Sequence, residues 1–225
     1  FFFKQKTAYE IVDCDWSSDV CSSDLLMAVR CAQCLKGLRG LLGEPAMAGT
    51  EVVRPDQLHD PALPSFAPFG APFGRRLRLL AHGPDGHGAS PGALALLDED
   101  SGTLFAGAWL DALRIPDVQD ARPEHWLAAL DSLAALPVQR IVPGHGPVSG
   151  PALVAQNRRY LTQLEARIAG LLAAGTALSD VADAATLPEF ATWDQADTIH
   201  RRNASIVFLD RKSTRLNSSH SQQSR

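Results

Sequence analysis

The chain has 225 residues, of which 45% are hydrophobic and 20% are charged, with a formal net charge of −4 and a pI near 6.0. This composition is ordinary for a soluble globular domain. It gives no electrostatic reason to expect binding to nucleic acid or to an anionic membrane surface. No apolar run in the sequence approaches the ~20 residues that a membrane-spanning helix needs. We therefore expect no nucleic-acid partner and no membrane span.

The two ends of the chain differ in character from the rest. Residues 1–25 contain FFFKQKTAYEI and DWSSDVCSSDL, and neither helical nor strand periodicity persists in them. Residues 211–225 contain RKSTRLNSSH and almost no apolar side chain that could be buried. Both stretches resemble sequencing-adapter DNA translated in a protein frame, and a pair of natural disordered tails is the alternative. We predict a folded segment at 26–210 between non-native, unstructured ends.

The segment 26–210 begins with a predicted helix over 26–42, for which Gly43 is the C-cap, and continues into a proline-rich connector over 55–72. Strands are then predicted at 76–82, 93–97, 103–109 and 138–142, and helices at 123–135, 150–174, 178–185 and 195–209. The turn DEDSG predicts a hairpin between the second and third strands. This alternation predicts an α/β fold in which helices cover the sheet.

Three candidate site residues lie in loops at predicted strand ends. His87 lies in the glycine-rich loop GPDGHGASPG, and His145 lies in PGHGPV directly after a strand. A neutral imidazole flanked by glycine can face a cavity and bind a divalent metal. Either histidine, taken alone, is more often a structural loop residue, so the spacing leaves both interpretations open. Asp111 follows the strand that ends in FAG and is the third candidate.

The order of these motifs resembles the metallo-β-lactamase superfamily: a Gly-His-x-Pro-Gly type loop, a hairpin ending in LFAG, then IPD, a helix and VPGHGPV. More narrowly, residues 30–210 resemble zinc metallohydrolases of quinoprotein relay systems, on the stretches RCAQCLKGLRGLLGEPAMAGTEVVRPDQL, TLFAGAWLDALRIPDVQDA and RIVPGHGPV. The resemblance implies part of an αβ/βα sandwich with one or two zinc ions at a sheet edge. It also implies a small-molecule substrate whose ester, thioester or similar bond is attacked by metal-activated water.

Carried over residue by residue, the resemblance implies that His87 and His145 are metal ligands. His82 is a rival to His87, because the loop HGASPG is two residues longer than the usual His-Thr-Pro-Gly. The aspartate that normally bridges the two metals is replaced by Ala108, which leaves Asp111 as the candidate carboxylate ligand. We predict that His87 and His145 approach each other at one end of the sheet.

The signature His-x-His-x-Asp-His of the superfamily does not occur in this sequence. A catalytic zinc site normally needs three protein ligands and an open position for water. We therefore expect an inactive fragment of a zinc-dependent hydrolase. The alternative is a metal-poor, non-catalytic binding module of the same fold. The motif upstream in the parent protein would separate the two, since an intact one favours the enzyme.

Several other conspicuous side chains are expected to be structural. Cys31 and Cys34 should pack on one face of the first helix, because residues 26–210 contain no second pair to complete a metal site. Trp109 and Trp126 are expected to be in the core or the wall of a cavity. His125 and His200 lie in helical patterns. They are expected either at the surface or next to the site residues, without being metal ligands themselves.

Overall fold

The computed structural model describes residues 31–52, 74–81 and 88–223, with side chains described through residue 214. The first adapter-like segment, the proline-rich connector, His82 and His87 all lie outside these ranges. The helices are α1 (Ala32–Leu42), α2 (Pro123–Ala134), α3 (Ala152–Ala173), α4 (Leu178–Ala184) and α5 (Ile199–Gln223), and the strands are β1 (Leu77–Leu80), β2 (Ala95–Asp98), β3 (Thr103–Gly107) and β4 (Arg140–Pro143). None of the helices in these ranges combines the length and apolarity that crossing a membrane requires.

The four strands form one mixed sheet in the order β1-β2-β3-β4. The strands β1, β2 and β3 are antiparallel neighbours, so the predicted hairpin is confirmed, whereas β4 runs parallel to β3. A parallel pair needs a crossover, and α2 lies within the connection between these two strands. The α/β class is confirmed. Because β3 and β4 are parallel, the loops that follow them emerge at the same edge of the sheet.

One face of the sheet is buried beneath helices. Leu97, Leu104 and Ile141 lie side by side across β2, β3 and β4. All three are buried in one hydrophobic cluster with Leu130 of α2 and Leu161 of α3. Full burial of each such side chain contributes about 1.5–3 kcal/mol. This layer therefore holds the strands against α2 and α3.

The opposite face of the sheet is partly open. Leu79, Leu96, Phe105 and Val142 are aligned across all four strands on this face. Phe105 is 44% exposed, and Leu96 and Val142 are half-buried. The described ranges contain this single sheet, so the second sheet of an αβ/βα sandwich stays a prediction.

Two boundaries differ from the sequence prediction for identifiable reasons. The strand β4 begins at Arg140 rather than at 138, because the Val138 amide donates to the Leu136 carbonyl in a tight turn. The helix α5 begins at Ile199 rather than at 195, because Gln195 has φ = 64°, a left-handed conformation that a helix excludes. Such effects depend on single backbone angles, which periodicity does not report.

The helix α5 runs through residue 223, so the tail from 211 is helical rather than unstructured as far as that residue. Its artefactual origin stays a prediction. The Arg211 guanidinium pairs with the Glu165 carboxylate of α3. None of the side chains from 211 to 214 is buried, as the polar sequence leads one to expect. Buried Val207 and Phe208 anchor α5 one turn earlier, and polar residues can extend an anchored helix without burying anything.

At the other end of the described chain, α1 ends as predicted. Gly43 has φ = 81°, and its amide donates to the Arg39 carbonyl. The helix has no fully buried residue, but Cys31 and Cys34 are partly buried together with Leu35 and Leu38, as expected for one face of the helix. Cys31 is a half-exposed free thiol, whereas Cys34 is disulfide-bonded.

A buried polar network joins α3, α5 and the segment before α2. His200 is buried, which excludes the surface position, one of the two expected for it. Its Nε2–H donates to the Ala185 carbonyl at 2.8 Å, and its Nδ1 accepts from the Tyr160 hydroxyl at 3.1 Å. The Asn203 amide donates to the Tyr160 oxygen at 2.9 Å and to the Pro116 carbonyl at 2.7 Å. A carbonyl oxygen only accepts, so His200 must carry its proton on Nε2.

The burial of His200 predicts that stability falls as the pH is lowered through the range near 6. Burial lowers the pKa of His200 below its unfolded value of about 6.5. The unfolded chain then binds more protons, so stability is fully present above about pH 6.5 and is lost as the pH falls toward the folded pKa. We expect urea unfolding at about pH 7.5 and about pH 5.5 to show this loss.

A His200→Gln variant is the matched control and should lose most of this dependence. The Asp98 carboxyl does not interfere, because its hydrogen bonds from Ser101 and Arg75 lower its pKa to about 2. Its contribution is therefore lost only at more acidic pH. A wild-type chain that is equally stable at both pH values would contradict the prediction.

Candidate functional site

The site lies in the two loops that follow β3 and β4. The strand β3 ends at Gly107, and the chain then turns, because the Trp109 amide donates to the Ala106 carbonyl and the Leu110 amide donates to Gly107. Asp111 therefore lies beyond the strand. Side chains alternate between the two faces of a sheet only within a strand, so this alternation does not determine the direction of the Asp111 side chain.

Two backbone hydrogen bonds join these loops side by side. The Gly144 amide donates to the Leu110 carbonyl at 2.9 Å, and the Ala112 amide donates to the His145 carbonyl at 2.9 Å. Asp111 lies between the two bonded positions of the first loop. The pairing therefore brings Asp111 next to His145, although 34 positions separate them in the sequence.

The glycines on either side of His145 make this approach possible. A Cβ on Gly144 would lie 2.7 Å from the Gly107 carbonyl oxygen, and a Cβ on Gly146 would lie 2.0 Å from that of Ala112. Gly146 also has φ = 87°, which favours glycine. Any side chain at either position would push the loops apart. The Gly-His-Gly motif is thus a requirement of close backbone packing, beyond leaving space around the imidazole.

The contact between Asp111 and His145 is a hydrogen bond of 2.8 Å from Nδ1 of the imidazole to Oδ1 of the carboxylate. The Asp111 side chain is 8% exposed and the His145 side chain is 30% exposed. A buried carboxylate needs such partners, since leaving a charge unpaired in the interior is costly. The pair therefore extends from the interior to the surface of the sheet edge.

Asn157 of α3 fixes the backbone of Asp111 and was not predicted from the sequence. Its Oδ1 accepts from the Asp111 amide at 3.1 Å, and its Nδ2 donates to the Asp111 carbonyl at 2.9 Å and to Leu153 at 3.0 Å. Asn157 is fully buried. An asparagine on the apolar stripe of a helix, between Leu153 and Leu161, is the signal that could have pointed to a buried partner.

The described chain resumes at Gly88, directly after His87. Gly88 lies close to the loop that follows β3. The Gly88 carbonyl accepts from the Arg122 amide at 2.9 Å. A Cβ on Gly88 would lie 3.2 Å from the indole of Trp109, two residues before Asp111. Because His87 itself lies outside the described ranges, its predicted approach to His145 stays a prediction.

Both tryptophans belong to the core, as predicted. Trp109 and Trp126 are buried, and the Trp126 Nε1–H donates to the Trp109 carbonyl at 3.1 Å. This bond ties the loop after β3 to α2.

The residues that the structure describes do not by themselves fit a zinc ion. Within the described ranges, no three histidine, cysteine, aspartate or glutamate side chains form a group that could hold a metal. The two loops after β3 and β4 offer one imidazole, from His145, and a carboxylate that is already bonded to it, from Asp111. Ala108, at the position of the bridging aspartate, supplies no ligand atom. A further ligand from outside these ranges would be needed.

Comparison with known proteins gives partial matches to solved structures at low identity. No protein-family model and no curated protein matches the chain. A metallo-β-lactamase from Pontibacter korlensis is 19% identical over 57% of this chain and 62% of its own, with a TM-score of 0.41. The metallo-β-lactamase TMB-1 is 15% identical over 57% of this chain and 61% of its own, with a TM-score of 0.41. The metallo-β-lactamase DIM-1 is 18% identical over 38% of this chain and 40% of its own, with a TM-score of 0.35. The chain spans about 40–62% of the length of these structures.

The packing around Gly146 predicts a large difference between two glycine-to-alanine substitutions. Gly146→Ala should destabilise the chain by about 2–4 kcal/mol, because the left-handed angle and the clash with Ala112 add. Gly170→Ala, at an exposed position of α3 with open space around it, should stabilise by about 0.5–1 kcal/mol. Urea unfolding measures both, and equal stabilities of the two variants would contradict the packing described for the site.

Proposed function

We propose that this chain carries one edge of the metal site of a metallo-β-lactamase-type hydrolase and that His145 is a ligand in that site. The supporting observation is the hydrogen bond from His145 Nδ1 to Asp111, at the carboxyl end of β4. Histidines that bind metals almost always donate their other ring N–H to a carboxylate, a carbonyl or water.

The resemblance stated for the sequence supplies the rest of the proposal. In it, His87 is a second ligand, one or two zinc ions are bound in the parent protein, and the substrate is a small molecule with an ester, thioester or similar bond. Zinc would activate water for attack on that bond. The packing of Gly88 beside Trp109 is compatible with His87 lying close to His145.

We further propose that the chain as written is inactive. Its sequence contains no His-x-His-x-Asp-His, and Ala108 replaces the carboxylate that would link two metals. Two imidazoles fall short of the three protein ligands that hold a catalytic zinc and leave its water positioned.

The alternative is a non-catalytic binding module of the same fold. Two observations favour it. Ala108 supplies no metal ligand, and Oδ1 of Asp111 already accepts a hydrogen bond from His145. In this alternative the Asp111–His145 pair is a polar anchor for a neutral ligand and no ion is shared with His87.

A zinc titration of the full 225-residue chain separates the two proposals. We expect weak zinc binding that His145→Ala and His87→Ala each reduce, and a double variant that loses little more than either. Ligands of one ion are not independent, so their losses do not add. His125→Ala is the matched control, because His125 lies on α2 and is not one of the candidate ligands. His82→Ala tests the rival ligand.

The same samples are assayed for ester and thioester hydrolysis with and without chelator, and no chelator-sensitive turnover is expected. Zinc binding by His145→Ala as tight as by the His125→Ala control would contradict the proposed ligand and favour the binding module. One tightly bound zinc per chain, with chelator-sensitive turnover, would contradict the proposed inactivity.

A further inference from the structure

The Asp111 carboxylate is held in place from the protein interior. Asn157 binds the amide and the carbonyl of the same residue, and the Ala112 amide beyond it is bonded to the other loop. With its peptide groups fixed on both sides and its side chain 8% exposed, Asp111 has little freedom to turn toward solvent. Its Oδ1 is therefore a fixed hydrogen-bond acceptor.

A fixed acceptor determines which nitrogen of the imidazole carries the proton. An ionised carboxylate accepts and does not donate, so the 2.8 Å contact places a hydrogen on His145 Nδ1. In the neutral ring the lone pair then lies on Nε2, which is on the far side of the ring from Asp111. Since the His145 side chain is 30% exposed, the ring extends from the buried carboxylate toward the surface.

The same geometry is unsuitable for Asp111 as a ligand of an ion bound by His145. A zinc ion ~2.1 Å from Nε2, in the plane of the ring, would be roughly 7 Å from an oxygen that is hydrogen-bonded to Nδ1. A carboxylate ligand must lie about 2.0–2.2 Å from the ion. The distance excludes joint binding through these atoms by a wide margin.

We propose that Asp111 is a positioning residue: it holds His145 in the Nδ1–H tautomer and directs Nε2 away from the core as the atom that binds. This inference deepens the proposed function and rests on it only for the statement that the bound partner is a metal. It replaces the expectation that Asp111 is itself a ligand. Asn157 supports the pair by fixing the Asp111 backbone.

The test is nitrogen NMR of the full chain with ¹⁵N-labelled histidine, free of metal, at about pH 9, where an ordinary imidazole is neutral. Protonated and unprotonated ring nitrogens have well-separated shifts. We expect Nδ1–H for His145, whose signals are identified by their loss in His145→Ala. His200 is the internal control, because its Nε2–H donates to Ala185 and it must show the opposite tautomer.

In Asp111→Ala we expect His145 to change to the Nε2–H tautomer that a solvent-exposed neutral histidine side chain prefers, while the His200 signals stay unchanged and report an intact fold. Zinc binding by this variant should be about 10- to 100-fold weaker, the usual loss for such a partner. If Asp111→Ala does not fold, Asp111→Asn keeps the shape of the side chain, and the population of Nδ1–H is expected to fall.

The wild-type spectrum decides the proposal on its own. His145 in the Nε2–H form, or a tautomer unchanged by Asp111→Ala, would overturn it. Nδ1–H in a chain that binds no zinc through His145 would support the role of Asp111 and contradict the proposed function. The failure of one proposal is thus distinguishable from the failure of the other.

Discussion

The loops that follow β3 and β4 run in contact, and the candidate site depends on that contact. Two backbone hydrogen bonds join them, and neither Gly144 nor Gly146 has room for a Cβ. The contact is possible because β3 and β4 are adjacent and parallel, which delivers both loops to one edge. Ligands of open α/β sheets bind outside the carboxyl ends of strands for the same reason. Without this approach, Asp111 and His145 would not meet.

The helices that bury the sheet also support the site. Asn157 of α3 binds the Asp111 backbone, and Trp126 of α2 binds the carbonyl of Trp109 in the same loop. Side chains held by regular elements and by further hydrogen bonds are positioned more accurately than those of unsupported loops. A change in the packing of α2 or α3 should therefore also alter the Asp111–His145 pair.

Local sequence signals predicted much of the fold and pointed to Asp111 and His145 in the loops that follow β3 and β4. The DEDSG hairpin, Pro123 at the start of α2 and His145 at the end of β4 each follow from residues close in sequence. The partners of Asp111 do not, because His145 and Asn157 are 34 and 46 positions away. The burial of His200 is a similar case, since Tyr160 lies 40 positions before it. Periodicity assigns a residue to a helix, but it does not show which side chains become neighbours.

Hydrogen exchange at the amides of Ala112 and Gly144 tests most directly whether the two loops are held together. We expect both amides to exchange only through global unfolding, with opening free energies equal to that of Leu164, which is buried in α3. In Gly146→Ala the two amides should lose this protection. Exchange of both wild-type amides through local opening, with Leu164 still protected, would show that the loops separate in the folded protein and would contradict the geometry on which the site rests.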